Sequence, residues 1–248
     1  MKDLKKDKLF VKVYDTRAEM GECAAKDIAQ KIRELLNEKQ EINMIFAAAP
    51  SQNEMLDALI KEEVDWKRIN AFHMDEYVGL DDDAPQKFGN FLKEHIFDRV
   101  DFKTVNLIGG ANEKEDMEKY SALLESNHID IVCMGIGENG HIAFNDPPVA
   151  DFCDKKLIKK VELDEICRQQ QVNDICFDKI DDVPKYALTL TLPTLFNADY
   201  LFCVVPGKTK SKAVYATLNN TISEVCPATF LRRHSNAVLY CDSDSFAE

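Results

Sequence analysis

The sequence lacks any apolar run long enough to cross a membrane: segments such as Met44 to Ala49 and Ile129 to Met134 are strand-sized, far short of the roughly 18 residues a span requires. Behind the lysines of the N-terminus, Met1-Lys-Asp-Leu-Lys-Lys-Asp-Lys8, there is no apolar stretch of signal-peptide length, so a cytoplasmic protein is expected. Positive charge is scarce too. With 31 Lys and Arg against 44 Asp and Glu, the formal net charge of −13 disfavours nucleic acid and anionic membrane as partners, since both call for a positive face. An enzyme for anionic substrates would have to gather its few cations locally. The eight cysteines are scattered and include no C-x-x-C pair, which removes the usual zinc and redox motifs. Cys133 and Cys203 sit inside apolar strand patterns and read as small buried hydrophobes with reduced thiols. No Pro/Gly/Ser-rich linker and no internal repeat divides the chain, so residues 1–248 are expected to form one domain.

What is present is an alternation of strand and helix patterns. Leu9-Phe-Val-Lys-Val-Tyr14 alternates as a strand does, and Thr16-Arg-Ala-Glu19 is a capping box opening a helix whose buried stripe is Ala24, Ile28, Ile32 and Leu35. A second strand from Ile42 to Ala47 leads through Pro50 into Ser51-Gln52-Asn53-Glu54, a second capping box, and a helix with Met55, Leu56, Leu59 and Ile60. Further strands are predicted over 69–74, 105–108, 129–134, 157–161, 187–190, 200–205 and 237–241, with helical patterns over 88–97, 115–125 and 210–218. Such alternation predicts an α/β fold, a mainly parallel sheet with helices on both faces in a Rossmann-like three-layer sandwich. Ligands then belong at the carboxyl ends of the strands, which directs attention to the segments after residues 49, 74, 134 and 205.

Two of those segments carry unusual polar residues: His73-Met-Asp-Glu-Tyr-Val-Gly-Leu80 and Gly135-Ile-Gly-Glu-Asn-Gly-His-Ile-Ala-Phe-Asn-Asp-Pro147. On residue type alone, Asp75 and Glu76 read as helix caps or solvent-facing carboxylates, and a lone histidine such as His141 reads as structural. The Gly135 to Gly140 segment also fits the G-x-G-x-x-G dinucleotide fingerprint. Its context argues against that, because it runs into Asn145-Asp-Pro-Pro148 instead of opening a long helix and follows the fifth strand, not the first. Taken together, the two segments resemble the M-D-E-Y-V-G-L and G-x-G-x-D-G-H-I-A-F-N-E-P signatures of the glucosamine-6-phosphate deaminase/isomerase family, in a superfamily shared with 6-phosphogluconolactonases. The likeness continues through Val183-Pro-Lys-Tyr-Ala-Leu-Thr189 and spans roughly residues 40 to 245 in the same order.

The resemblance implies an enzyme that uses no cofactor or metal and acts on a small-molecule sugar phosphate, an aldose-ketose isomerase that turns an amino sugar phosphate into fructose 6-phosphate and ammonia. It implies that Asp75 shuttles the proton between neighbouring carbons, that His141 assists ring opening, and that Asp146 orients the imidazole. Asp146 is one methylene shorter than the family's Glu, so either the loop closes in or a water bridges the gap. Asn139 stands where the family has Asp; its amide holds geometry but accepts no proton at neutral pH. A base step there would fall to His141 or Glu138, unless the substrate is one that does not need it. Substrate contacts are implied at Ser51, Gln52, Glu76 and Gly137, although Ser51-Gln52-Asn53-Glu54 replaces a T-G-G-T-type phosphate loop. Lys210 matches the family's phosphate-binding lysine. Gln171 stands where the family carries Arg, with Arg168 one turn earlier as a candidate replacement. Two alternatives stay open, a deaminase or isomerase of another sugar phosphate such as galactosamine 6-phosphate and a non-catalytic sugar-phosphate binder; whether the chain forms a homo-oligomer is open as well.

Overall fold

Strands that are each followed by a helical return run parallel, because the return brings the chain back to the same end of the sheet. The computed structural model, which describes residues 2–173 and 176–246, has this arrangement. One sheet has eight strands in the order β1 (Lys2–Lys6), β2 (Leu9–Tyr14), β11 (Ala237–Asp242), β10 (Tyr200–Val205), β7 (Ile131–Met134), β3 (Ile42–Phe46), β4 (Ile69–His73) and β6 (Thr104–Asn106). All neighbours in it are parallel except β1 and β2. The chain lays β3, β4 and β6 outward to one side, then returns to lay β7, β10 and β11 to the other. The direction of winding therefore reverses between β3 and β7, and the connections leaving their carboxyl ends diverge. Open α/β sheets bind ligands in the crevice this leaves.

Helices cover both faces. Alternation along β3 sends Met44 and Phe46 into one apolar cluster and Ile45 into the other. The first cluster is completed by α1 (Arg17–Glu38), α2 (Asn53–Leu59) and α3 (Phe88–Leu92), and the second by α4 (Glu113–Ser126), α6 (Leu192–Phe196) and α7 (Ser211–Asn219). Helix α1 follows its pattern: the Thr16 hydroxyl accepts the Glu19 amide at 3.2 Å, and Met20, Ala24, Ile28, Ile32 and Leu35 are buried. Among the described residues, no helix is long and apolar enough to cross a membrane.

The structure departs from expectation in three places. The strand predicted to run through Met74 ends at His73, and Asp75–Tyr77 forms β5 in a second, antiparallel sheet with β9 (Tyr186–Leu190) and β8 (Ile158–Glu162). The lysine-rich N-terminus is an edge strand hairpinned onto β2, with Asp7 in the left-handed region at φ 52°. Lysines at 2, 5 and 6 protect such an edge but leave no apolar pattern to detect. The capping box at Ser51 does not form. Pro50 opens a short 3₁₀ turn whose carbonyl takes the Asn53 amide, and Glu54 instead pairs with Arg17 of α1 at 2.5 Å. A guanidinium is the stronger partner for that carboxylate than a lone amide.

The α1–α2 contact yields a test whose sign is unusual. Replacing a helical glycine by alanine ordinarily stabilises by about 1 kcal/mol. A Cβ on Gly21, however, would lie 2.6 Å from Glu54 Cβ and 2.9 Å from its backbone carbon. Gly21→Ala should therefore destabilise by about 1–2 kcal/mol in urea unfolding, overpacking outweighing propensity; a stabilised variant would refute the close approach.

Candidate active site

The crevice at the winding reversal is walled by four strand ends. The segment after β3 contributes Ala47 to Ser51, that after β4 Met74 and Asp75, that after β7 Gly135 to Gly137 with His141, Ala143 and Phe144, and that after β10 Lys210. Helix α5 (Glu165–Asn173) closes the fourth side with Gln170 and Gln171, beside Cys176. Asp75 and His141 thus line one cleft, with Ser51, Gly137, Gln171 and Lys210 around them.

The loop 135–146 is built to aim an imidazole. His141 Nδ1 lies 2.9 Å from Asp146 Oδ1 and 2.8 Å from Asn139 Oδ1. Asn139 also accepts the His141 backbone amide at 3.0 Å and donates from Nδ2 to Asp146 at 2.8 Å, so the three side chains form a closed triangle. Of the two ways to compensate for the short Asp146, the loop takes the first and closes in. Ala143 adopts φ 50° at its bend, and Asn145 Nδ2 pins the turn to the carbonyls of Ile142 and Leu190 at 3.0 and 2.9 Å. A left-handed alanine costs about 1 kcal/mol, which those bonds sustain. Gly137 is needed for proximity: a Cβ there would sit 2.1 Å from the imidazole Cε1. Burial pushes the Asp146 carboxyl up, but the His141 charge and the hydrogen bonds from His141, Asn139 and Cys167 outweigh it and hold it below the ordinary carboxylate value.

Asp75 and Glu76 are neighbours on β5, so the period-2 pleat sends them to opposite faces. Asp75 lines the cleft, and burial, together with the Glu76 charge, pushes its carboxyl well above the ordinary range. Glu76 turns away. Its carboxylate accepts the backbone amides of Tyr77, Phe88 and Gly89 at 2.9, 3.1 and 3.0 Å, capping α3. The substrate contact expected of Glu76 is thus replaced by a cap that sets Phe88, a cleft residue, in place. Burial raises the Glu76 carboxyl to about 7, against the pull of those amides and Lys87.

At the other end of the cleft, Lys210 is buried in the 3₁₀ turn Lys208–Lys210 that precedes α7. Ser51 Oγ accepts Gln52 Nε2 at 3.0 Å; the same amide donates to the Val204 carbonyl at 3.1 Å. Gln52 is fully buried beneath the loop and does not line the cleft, so its placement is that of a strut. Gly135 makes room for it, since a Cβ there would be 2.9 Å from Gln52 Nε2. Arg168 lies outside the cleft lining as well: its guanidinium donates to the carbonyls of Ile180 and Val183 at 2.5 and 3.1 Å, which engages its fork on the backbone. Sequence reasoning missed Gln170, Cys176, Phe88 and Phe144 as cleft residues; the Gln169-Gln170-Gln171 run gave no means of choosing a face without the helix's orientation. Among the described residues, no group of three or more His, Cys, Asp or Glu could hold a metal ion.

Residues 15–240 match the family model for glucosamine-6-phosphate isomerases/6-phosphogluconolactonase. A glucosamine-6-phosphate deaminase of Exiguobacterium sibiricum is 31% identical over 215 residues, 86% of this chain and 83% of that protein. One from Bacillus thuringiensis is 30% identical over 237 residues, 95% of this chain and 87% of the relative. Among solved structures, a monomeric glucosamine-6-phosphate deaminase superposes with a TM-score of 0.86 at 29% identity, over 95% of this chain and 98% of the other. A 6-phosphogluconolactonase from Thermotoga maritima shares the fold, with a TM-score of 0.77 at 21% identity over 95% of this chain and 100% of its own.

The Glu76 cap has a pH signature. Its folded value of about 7 lies above the ordinary 4.5, so the stabilisation this group contributes is fully present below about 4.5 and is lost as pH rises through about 7. The loss amounts to about 3 kcal/mol by linkage. Urea midpoints of the wild type and Glu76→Gln across that window should show the wild type's slope flattened in the variant; parallel curves would sink the assignment.

Proposed function

The chain belongs to the family of glucosamine-6-phosphate isomerases and 6-phosphogluconolactonases, and from that premise we propose that it is a glucosamine-6-phosphate deaminase-like enzyme, converting an amino sugar phosphate and water to fructose 6-phosphate and ammonia. One observation carries this reading: Asp75 and His141, the latter held by Asp146, share a cleft with Ser51 and Lys210. The relatives of this activity that match over most of the chain support it.

Lys210 and Ser51 hold the phosphate, with Gln171 offering a neutral amide where the family carries a cation. Because His141 Nδ1 is bonded to Asp146, Nε2 is the nitrogen left for the substrate. It passes a proton from the anomeric hydroxyl to the ring oxygen, giving the open-chain aldose. Asp75, ionised, removes the proton from C2 while O1 takes a proton given up by the 2-ammonium group, which makes an enolamine; Asp75 then returns its proton to C1, so that C2 becomes a protonated imine. Water adds to the imine, ammonia leaves, and the ketose remains. A carboxyl held above its ordinary value is the stronger base for this transfer. Asn139 takes no proton in this sequence; its part is the triangle that fixes the imidazole.

Ammonia release measured across a panel of amino sugar phosphates tests the reading. Turnover of glucosamine 6-phosphate is expected, turnover of galactosamine 6-phosphate alone would move the substrate, and binding without ammonia from any would favour the non-catalytic reading. Asp75→Asn should lower kcat by roughly 10²- to 10⁴-fold. Its thermal midpoint at neutral pH should not fall, since the substitution removes a buried charge whose folded value is raised. Lys210→Met should raise KM for the phosphorylated substrate and leave kcat within about threefold, as loss of uniform binding does.

A further inference from the structure

The short turn Pro50–Gln52 is held from outside by Arg17 of α1, whose guanidinium donates to the Pro50 carbonyl and pairs with Glu54. Its backbone also closes on itself, the Gln52 amide donating to the Ala49 carbonyl at 2.9 Å. Neither tie uses the Gln52 side chain, which runs beneath the cleft toward β10. Strands β3 and β10 are not neighbours, since β7 lies between them. The β7–β10 ladder ends where Met134 meets Cys203, so Val204 lies one residue past its last rung, and Gln52 Nε2 reaches over the end of β7 to the Val204 carbonyl at 3.1 Å. The crossing needs a bare backbone at Gly135. A Cβ there would be 2.9 Å from Gln52 Nε2, 3.3 Å from the Val204 oxygen and 3.4 Å from Ser51 Oγ.

The partners of this amide decide its orientation. A carbonyl only accepts, so the atom facing Val204 is the nitrogen, and an amide nitrogen accepts nothing from the neighbouring hydroxyl. Ser51 Oγ therefore accepts from Gln52 at 3.0 Å and keeps its single proton for another partner. Ser51 lines the cleft and Gln52 does not. We propose that Gln52 is a positioning residue for phosphate binding, which turns the Ser51 proton into the cleft and so makes Ser51 a donor to the phosphate of the substrate. Phosphate oxygens only accept; a hydroxyl that gave its proton to the protein would turn lone pairs toward the anion. The buried Gln52 Oε1 meets no protein donor, so the side chain acts through its two N–H groups, one on Ser51 and one on Val204. The same strut registers the two lips of the crevice, because Lys210 follows β10 as Ser51 follows β3. This inference rests on the reading that Ser51 and Lys210 hold phosphate.

Affinity for fructose 6-phosphate, measured by isothermal titration calorimetry with fructose as the control, tests it without turnover. The wild type should bind the ester in preference to the free sugar, and Ser51→Ala should weaken the ester by about tenfold or more, as loss of a hydrogen bond to a charged group does. Gln52→Glu keeps the length of the side chain and reverses its polarity. Burial favours the protonated carboxyl, whose O–H takes the Val204 carbonyl and leaves the other oxygen to accept the Ser51 proton. That variant should lose about as much as Ser51→Ala. In a Ser51→Ala background the same substitution should weaken binding by no more than about twofold, because no hydroxyl remains to be turned. Gln52→Met, which removes both N–H groups and adds no charge, should weaken binding about fivefold and carries the test if the glutamate variant fails to fold. In turnover the Gln52 variants should raise KM with kcat within about threefold. A Gln52→Glu loss that persists undiminished in the Ser51→Ala background would overturn the proposal. So would Gln52 variants that bind the ester as the wild type does while Ser51→Ala or Lys210→Met binds it weakly, which would leave the phosphate reading standing. A wild type that binds fructose 6-phosphate no better than fructose would overturn that reading and this proposal with it.

Discussion

The hydrogen-bond triangle of His141, Asp146 and Asn139 is the constraint from which the rest of the site can be understood. An imidazole free to rotate presents either nitrogen; one whose Nδ1 meets two oxygens at 2.8 and 2.9 Å presents only Nε2. That requirement dictates its surroundings. The loop must bend sharply enough to bring a short aspartate within reach, which puts Ala143 at φ 50°, and the ring must lie against the backbone, which excludes any side chain at residue 137. Asparagine at 139 suits this geometry better than a second carboxylate would. It accepts on one atom and donates on the other, where a carboxylate at 139 facing Asp146 would repel it.

A second constraint is the pleat of β5. Two adjacent buried carboxylates would destabilise one another on a single face, and period-2 alternation separates them into different environments with different partners. Asp75 enters the cleft, where its raised affinity for a proton is chemically useful. Glu76 meets the Tyr77 amide and the two amides at the start of α3 and fixes the aromatic wall where Phe88 stacks on Phe144 at 5.6 Å. The pair remains coupled, because the Glu76 charge is one cause of the Asp75 shift. The short second sheet, which looks incidental to the architecture, is what makes this division possible.

Much of the fold was legible because its signals are local and repeated. Alternation at Leu9 to Tyr14, the stripe on α1 and the capping box at Thr16 each act within a few residues and agree with one another. The second capping box failed because its outcome depended on Arg17, 37 residues away, which no local pattern reveals. The β1 edge strand was hidden for the opposite reason, since a strand paired on one side only and studded with lysine carries little apolar signal. Asp75, His141, Ser51 and Lys210, singled out by motif, line one cleft with Asp146 behind His141, and the parallel topology explains why motifs so far apart in sequence meet. Glu76 and Arg168 were placed on the right segments and the wrong faces. Which side of an element meets the cleft is decided by tertiary packing, and in both cases backbone groups rather than a ligand claim the side chain.

The same packing bears on how so acidic a chain receives an anionic ligand. Lys210 is the one cation among the cleft-lining residues described, and Gln171 and Gln170 bring amides where a guanidinium would bring charge. Attraction is therefore modest, and the balance depends on how much negative charge the cleft already holds. Burial answers part of that by raising the proton affinity of Asp75, while the Asp146 charge is offset locally by His141 and Asn139. An arriving phosphate would raise Asp75 further by like-charge repulsion, so that binding and proton affinity reinforce each other. On the proposed reading Asp75 must be ionised when it takes the C2 proton, so the raised affinity that makes it the stronger base is set against the share of the carboxyl that is ionised with substrate in place.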